Sequence, residues 1–353
     1  MISRIGNFPW LRIFLVIGLL SGSLIVIGCA LNPATGKHEF MMVSEGQEFE
    51  IGKNLDKQVR DEMGVYLELP QLRSMVKETG ETLGRKSDRP GLIYRVEVID
   101  SPDFNAFAVP GGFVYVNRGL LDKMNSLDEL AFVMGHEIAH VAARHSASQI
   151  SKAQLMNLGL LGLTVGTKGT AESYAQLINM GAGLAFNKFS RDDEREADHF
   201  GLNYMIRAGY NPKAALSSIE QMQRLETRAP TTMESWFQTH PPTSERFKNI
   251  NQEISALPAG QRSTLERPVK RNEFIALLDG LAVGEWNGNE LVRGNRYYNK
   301  SFLISMEIPQ NWHVQIHSKP YTALFIQPKK GFYGFFDMET LRSRRTSARG
   351  GRM

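Results

Sequence analysis

Apolar residues recur along this chain at two periods, and the switches between them outline its elements. Ser44, with Gln47 three residues on, opens a helix whose apolar positions Ile51, Leu55, Val59 and Met63 repeat every four residues. A second helix follows Pro70 and carries Leu72, Met75, Val76, Thr79 and Leu83. The period then drops to two, with Tyr94, Val96 and Val98 on one face and Arg95 and Glu97 on the other. Asn105 to Val109 and Phe113 to Val116 read as two further strands, joined as a hairpin through Pro110-Gly111-Gly112. Helical spacing returns behind a second capping box, Ser126 with Glu129, in Leu127, Leu130, Ala131, Met134, Ile138 and Val141. A looser apolar stretch with Gly and Ser runs over 150–186. Ser190 then starts a helix with Asp192 and Asp193 in its first turn, where the helix dipole favours acids. Asn211-Pro212 caps the next, carrying Ala215, Ile219, Met222 and Leu225. One more follows Pro242 with Phe247, Ile250 and Ile254. Residues 257–270 are polar and read as a linker, and a short helix ends between Leu277 and Leu281. Residues 292–336 are aromatic and β-branched with frequent turns, which predicts a small β-rich module.

The 353 residues are 42% hydrophobic and 22% charged, a globular composition that excludes a disordered or collagen-like chain. The net charge of +4 sits at the two ends, in Arg4 and Arg12 and in Arg342, Arg344, Arg345, Arg349 and Arg352. The body between them is slightly acidic, so nothing argues for a nucleic-acid partner. The single cysteine, Cys29, excludes an intramolecular disulfide framework and any zinc site built on thiolates. It follows a basic start and an apolar stretch over 13–28, the plan of a signal peptide, with an uncleaved membrane anchor as the alternative. Val26-Ile27-Gly28-Cys29 resembles a bacterial lipobox, whose cleavage leaves a lipid on Cys29 and tethers the protein without a spanning helix. Ala30 in the second position resembles an outer-membrane address. The longest later apolar run, Leu155 to Val165, is about half the roughly 20 residues a bilayer helix needs. The expected organisation is a leader over 1–28, a tether over 29–43, a catalytic domain over 44–256, the linker over 257–270, the β-rich module over 271–340 and a basic tail over 341–353.

The chemistry concentrates in His136-Glu137-Ile138-Ala139-His140. Positions 136 and 140 lie one turn apart on one helical face, so both imidazoles reach one ion, with Glu137 beside them as a proton carrier. Zinc accepts nitrogen and carboxylate ligands, and a catalytic zinc keeps one position open for water. A third ligand is needed. His145 would lie about 140° round a continuous helix from His140 and could not share its ion. Glu194 and Asp198, at i and i+4, share a face of the helix begun by Ser190. One of them can bind the metal while the other accepts the N–H of a ligand histidine.

Together these segments resemble the zinc metallopeptidases of the HtpX and CAAX prenyl protease type, within the gluzincins. The resemblance covers about residues 30 to 255. The stretch Ser190-Arg191-Asp192-Asp193-Glu194-Arg195-Glu196-Ala197-Asp198 matches that family's third-ligand segment at each fixed position, which implies Glu194 rather than Glu196 as the ligand. Asn105-Ala106-Phe107-Ala108-Val109 is similar to the family's edge strand beside the cleft, where substrate backbone would pair. His240, in Thr239-His240-Pro241-Pro242, resembles a His-Pro motif whose histidine can take the water's place on zinc and make the enzyme latent. Arg191 is expected to pair with acidic neighbours at its helix start. His38, His199, His313 and His317 have no spacing partner and are read as structural.

The resemblance implies an α+β fold, mainly helical and zincin-like, with a small antiparallel sheet. It implies one zinc ion, with Glu137 as general base and then acid. The lipobox places the chain in the exported bacterial branch: an outer-membrane lipoprotein facing the periplasm and cutting unfolded or misassembled envelope proteins. The alternative is a chaperone-like factor on the same fold, with proteolysis largely latent and outer-membrane assembly machinery as its partner.

Overall fold

The computed structural model describes residues 29–161, 188–228, 234–240 and 245–281, together with short strand segments between 290 and 336. The leader over 1–28, all of 162–187, Pro241 to Ser244 and the basic tail lie outside the described residues.

Helix α1 (Glu45–Met63) begins with the full capping box expected of Ser44 and Gln47, and α2 (Pro70–Lys86) begins with its proline. Strands β3 (Arg95–Ile99), β4 (Ala106–Val109) and β5 (Phe113–Asn117) form a sheet in the order β3-β5-β4. The β4–β5 hairpin is antiparallel, with Phe107 opposite Tyr115 and Ala108 opposite Val114. However, β3 pairs with β5 in parallel, so the sheet is mixed rather than purely antiparallel. The cause is the segment after β3, which crosses the end of β5. Asn105 and Ser101 accept backbone bonds from Asn117 and Gly119, and this leaves β4 on the far edge.

Both faces of the sheet are covered, and the period-two pattern sorts its side chains. Ala106, Ala108, Val114, Val116, Val96 and Val98 join the main core beneath the helices. Phe107, Val109, Phe113 and Tyr115 join a second core under α1. Burial on both faces explains why β4 and β5 have no exposed residue.

A short helix, α3 (Arg118–Leu121), leads into α4 (Leu127–Ala142), every residue of which is buried. Ser126 caps α4 through the Glu129 amide, but the Glu129 carboxylate reaches out to the Asn125 amide and to Ser217 instead of closing the box. Helix α4 packs on α2, on α6 (Arg191–Ala208) and on α7 (Lys213–Arg228). Between α4 and α5 (His145–Leu161) the chain turns at Arg144, which sits at φ 58°. Helix α8 (Glu234–Thr239), with no clear periodic signal in the sequence, precedes α9 (Arg246–Ser255).

The segments expected to be tether and linker are both built into the body. Residues 29–43 contain an antiparallel hairpin of β1 (Cys29–Leu31) and β2 (His38–Phe40). Buried Asn32 bonds Glu39 and the Ala143 carbonyl, while Met41 and Val43 enter the second core. Residues 257–270 carry a 3-10 helix (Ala259–Glu266) and are held by Asp128, which accepts from the Asn211 and Lys270 amides at 2.8 and 2.7 Å. Helix α10 (Arg271–Leu277) then buries Phe274 completely. Turn-rich composition signalled loops, but not the buried carboxylate and amides that tie them down. Beyond, β6 (Glu290–Arg293), β7 (Arg296–Asn299) and β8 (Ile304–Glu307) form one antiparallel sheet. A second is built from β9 (His313–His317), β10 (Thr322–Gln327) and β11 (Phe332–Phe336). No helix among the described residues is long and apolar enough to cross a membrane.

Candidate metal centre

Helices α4 and α6 cross in backbone contact, and the crossing brings their polar faces together. His136, His140, Glu194 and His240 each present a donor atom, all within 4.8 Å of one another and all buried. His136 Nε2 and His140 Nε2 are 3.1 Å apart. Glu194 Oε1 lies 3.4 Å from His140 Nε2 and 2.9 Å from His240 Nδ1. His240 reaches the cluster from the end of α8, its amide bonded to the Trp236 carbonyl and its ring against the buried indole at 4.5 Å.

The groups behind this cluster fix which atoms are free. His136 Nδ1 meets Asp198 Oδ1 at 2.9 Å, and a carboxylate only accepts, so the ring proton sits on Nδ1 and Nε2 keeps its lone pair. Arg246 in turn clamps Asp198 with Nε to Oδ2 at 2.8 Å and Nη2 to Oδ1 at 2.5 Å. Glu194 Oε2 and Glu137 Oε1 are buried without hydrogen-bond partners among the described residues. Lone pairs converging from imidazoles and a carboxylate, with the unbonded Glu194 Oε2 among them, fit a zinc ion.

The local charges follow the same arrangement. Burial pushes the Glu137 carboxyl above its ordinary range, against the pull of His240 and His136. Burial opposes charge on Glu194 too, but His240 and His136 outweigh it and hold this carboxyl well below the ordinary value. His140 is driven well below the usual imidazole range, chiefly by burial. His240 is buried as well, yet Glu194 and Glu137 raise it above that range. Its Nε2 stands 3.3 Å from Glu137 Oε1.

Of the other residues singled out by sequence, β4 occupies the sheet edge beside the site. A small, partly open pocket with room for about one water, lined by Ala108, Val109, Pro110, His140, Arg144 and Ala147, lies between them. Asn105 precedes β4, with a buried and unpartnered Oδ1. Cys29 is exposed. Arg191 is exposed at the first residue of α6, and the arginine held against Asp198 is Arg246, which the sequence reading missed. The Ser190 cap is the reason: it turns the first residue of α6 outward and leaves Glu194 and Asp198 on the buried face. His145 was missed too. It lies beyond the Arg144 turn, not on a continuous helix, and its Nδ1 is 2.9 Å from His140 Nδ1.

Residues 70–254, more than half of the chain, match Peptidase family M48. Over 254 residues the chain is 31% identical to the mitochondrial metalloendopeptidase OMA1 of Schizosaccharomyces pombe, covering 70% of this chain and 73% of that protein. It is 32% identical to the metalloprotease YcaL of Escherichia coli over 50% of this chain and 67% of the relative. It is 27% identical to the beta-barrel assembly-enhancing protease of Escherichia coli over 72% of this chain and 52% of the relative. With that match laid over the crossing of α4 and α6, the chain belongs to Peptidase family M48, a family of zinc-dependent metalloendopeptidases.

Proposed function

We propose that the chain hydrolyses peptide bonds of unfolded or misassembled envelope proteins, with His136, His140 and Glu194 holding zinc and Glu137 as general base and acid. The observation that carries this reading is the convergence of the His136, His140 and Glu194 donors in a buried cluster beside the Glu137 carboxylate, whose Oε1 makes no hydrogen bond among the described residues. Zinc bound there supplies Lewis acidity and lowers the pKa of water. Glu137 then takes a proton from the attacking water and returns it to the leaving amine, a role suited to a carboxyl whose pKa burial has raised. Asp198 and Arg246 keep His136 in its zinc-binding tautomer. The outer edge of β4, the last strand of its sheet, accepts an extended substrate backbone, which selects chains without fixed structure over any one side chain.

The same reading places the protein in the exported bacterial branch, as an outer-membrane lipoprotein on Cys29 facing the periplasm. Cys29 is exposed at the first residue of the docked hairpin, a position that suits that attachment. A second reading, a chaperone-like assembly factor with latent proteolysis, draws on His240, which offers a fourth donor to the cluster and faces Glu137. Casein digestion by a chain beginning at Ala30, beside its Glu137→Gln twin, tests both. Cutting by the first alone supports the peptidase. No cutting by either, with zinc bound in both, favours the latent reading. Cutting by both at one rate removes Glu137 from the mechanism.

A further inference from the structure

Helix α6 supports both ligand histidines from behind, but by different routes. Asp198 meets the rear nitrogen of His136 directly. The rear nitrogen of His140 meets no carboxylate: His145 stands there, Nδ1 to Nδ1 at 2.9 Å. Its other nitrogen, Nε2, points back to α6, 3.4 Å from Glu196 Oε2 and 3.9 Å from Asp193 Oδ1. His145 is itself buried, and the ring of Phe189 stacks on His140 at 3.9 Å, closing that side.

Two imidazole nitrogens in contact hold one proton between them, and the metal decides which owns it. His140 Nε2 faces the cluster, so zinc binding requires the His140 proton on Nδ1, donated to His145 Nδ1. His145 must then carry its own proton on Nε2, aimed at Glu196. We propose that His145 and Glu196 are positioning residues, a two-member relay that holds His140 in the zinc-binding tautomer and fixes its ring. The left-handed turn at Arg144 is what places His145 there, because an unbroken helix would carry it round to another face. The inference rests on the assignment of His140 as a zinc ligand.

The test is zinc affinity, measured by competition with a chromophoric chelator on the full chain and its variants, with the Tm of the metal-free proteins alongside. His145→Ala is expected to weaken zinc binding about 10- to 100-fold, the range found when such supporting partners are lost. His145→Asn, whose Oδ1 can accept where Nδ1 does, is expected to recover most of that loss. Glu196→Gln, at a partly exposed site that tolerates change, is expected to weaken binding by a few-fold with Tm unchanged. Wild-type affinity in both His145→Ala and Glu196→Gln would overturn the relay. So would equal weakening by His145→Ala and His145→Asn in step with a falling apo Tm, which marks a packing role only. A wild-type chain that binds no zinc would instead overturn the ligand assignment itself. If His145→Ala does not fold, the Asn and Gln variants carry the comparison.

Discussion

Gly135 and Gly201 face each other where α4 and α6 cross. A Cβ built on Gly135 would stand 2.8 Å from the Gly201 carbonyl oxygen, and one on Gly201 would stand 2.7 Å from the His136 amide nitrogen. These contacts are to backbone, which cannot swing aside. Neither glycine has a positive φ, so closeness of approach alone excludes a side chain. The crossing delivers Asp198 and Glu194, about one and two turns back along α6 from Gly201, to the histidines.

Gly201→Ala is therefore expected to push the helices apart. Overpacking of this kind costs about 1–3 kcal/mol, more than the roughly 1 kcal/mol an alanine gains over glycine in a helix. Zinc content should fall with it, because the donors sit on opposite sides of the crossing. Gly46→Ala on α1, with nothing within 4 Å of its Cβ, is the control and should leave zinc content unchanged and stability unchanged or slightly raised. Calorimetry and metal analysis read the pair; equal Tm and zinc content in Gly201→Ala would sink the argument.

Asp198 and Arg246 are a buried ion pair at the end of the His136 hydrogen bond. Removing one partner of such a pair strands the other, so Arg246→Ala should destabilise the fold by about 3–5 kcal/mol. Burial opposes the Asp198 charge, but Arg246 and the His136 ring overcome it and hold this carboxyl below its ordinary range. A depressed pKa contributes stability above the unfolded value of about 3.9, and that stability is lost as pH falls through the folded value. Asp198→Asn should thus flatten the dependence of stability on pH below about 5, read by urea titrations at stepped pH. An unchanged slope would show that Asp198 is not charged in the folded protein.

The pairs that meet in the cluster were legible in sequence because their spacings are local, while the choice of Glu194 over Asp198 as donor rested on the resemblance. Four residues separate His136 from His140 and Glu194 from Asp198, and each pair lies on one helix begun by a serine cap. What the sequence hid depends on turns and docking. His145 reaches His140 only because Arg144 leaves the helical region, and no residue type announces that turn the way glycine would. Arg246 arrives from 48 positions beyond Asp198 on a helix whose periodicity reports its apolar face alone. The hairpin signal gave β4 beside β5, but no local pattern says which of the two β3 will join.

Glu48 holds that Arg144 turn from outside the site. Its carboxylate, itself buried, bonds Arg89 at 2.9 Å and Arg144 at 2.8 Å, and Arg144 also donates to the Val43 carbonyl. Glu48→Gln leaves the buried Arg144 without its carboxylate and Arg89 with only the exposed Glu45, 3.6 Å away. A loss of about 3–5 kcal/mol is expected from the broken pairs. Zinc affinity should weaken as well if the turn relaxes, since His145 follows it in the chain. Denaturant unfolding with zinc titration on the same sample measures both; a loss of less than about 1 kcal/mol would assign the triad no structural weight.

His240 offers the sharpest division between an open and a restrained peptidase. It supplies the fourth donor of the cluster, bonds Glu194 at 2.9 Å and stands 3.3 Å from the Glu137 carboxylate. Water needs that same space next to Glu137. His240→Ala leaves His136, His140 and Glu194 in place, so zinc should be retained while Glu137 loses the neighbour that competes for it. Casein cleavage is expected to rise on the order of tenfold, equivalent to about 1.4 kcal/mol of restraint removed. Trp236→Ala should raise it less, because the ring then loses its backing indole but can still reach the cluster. Should cleavage instead fall in proportion to lost zinc, His240 is a required ligand, and the idea of a restrained enzyme is wrong.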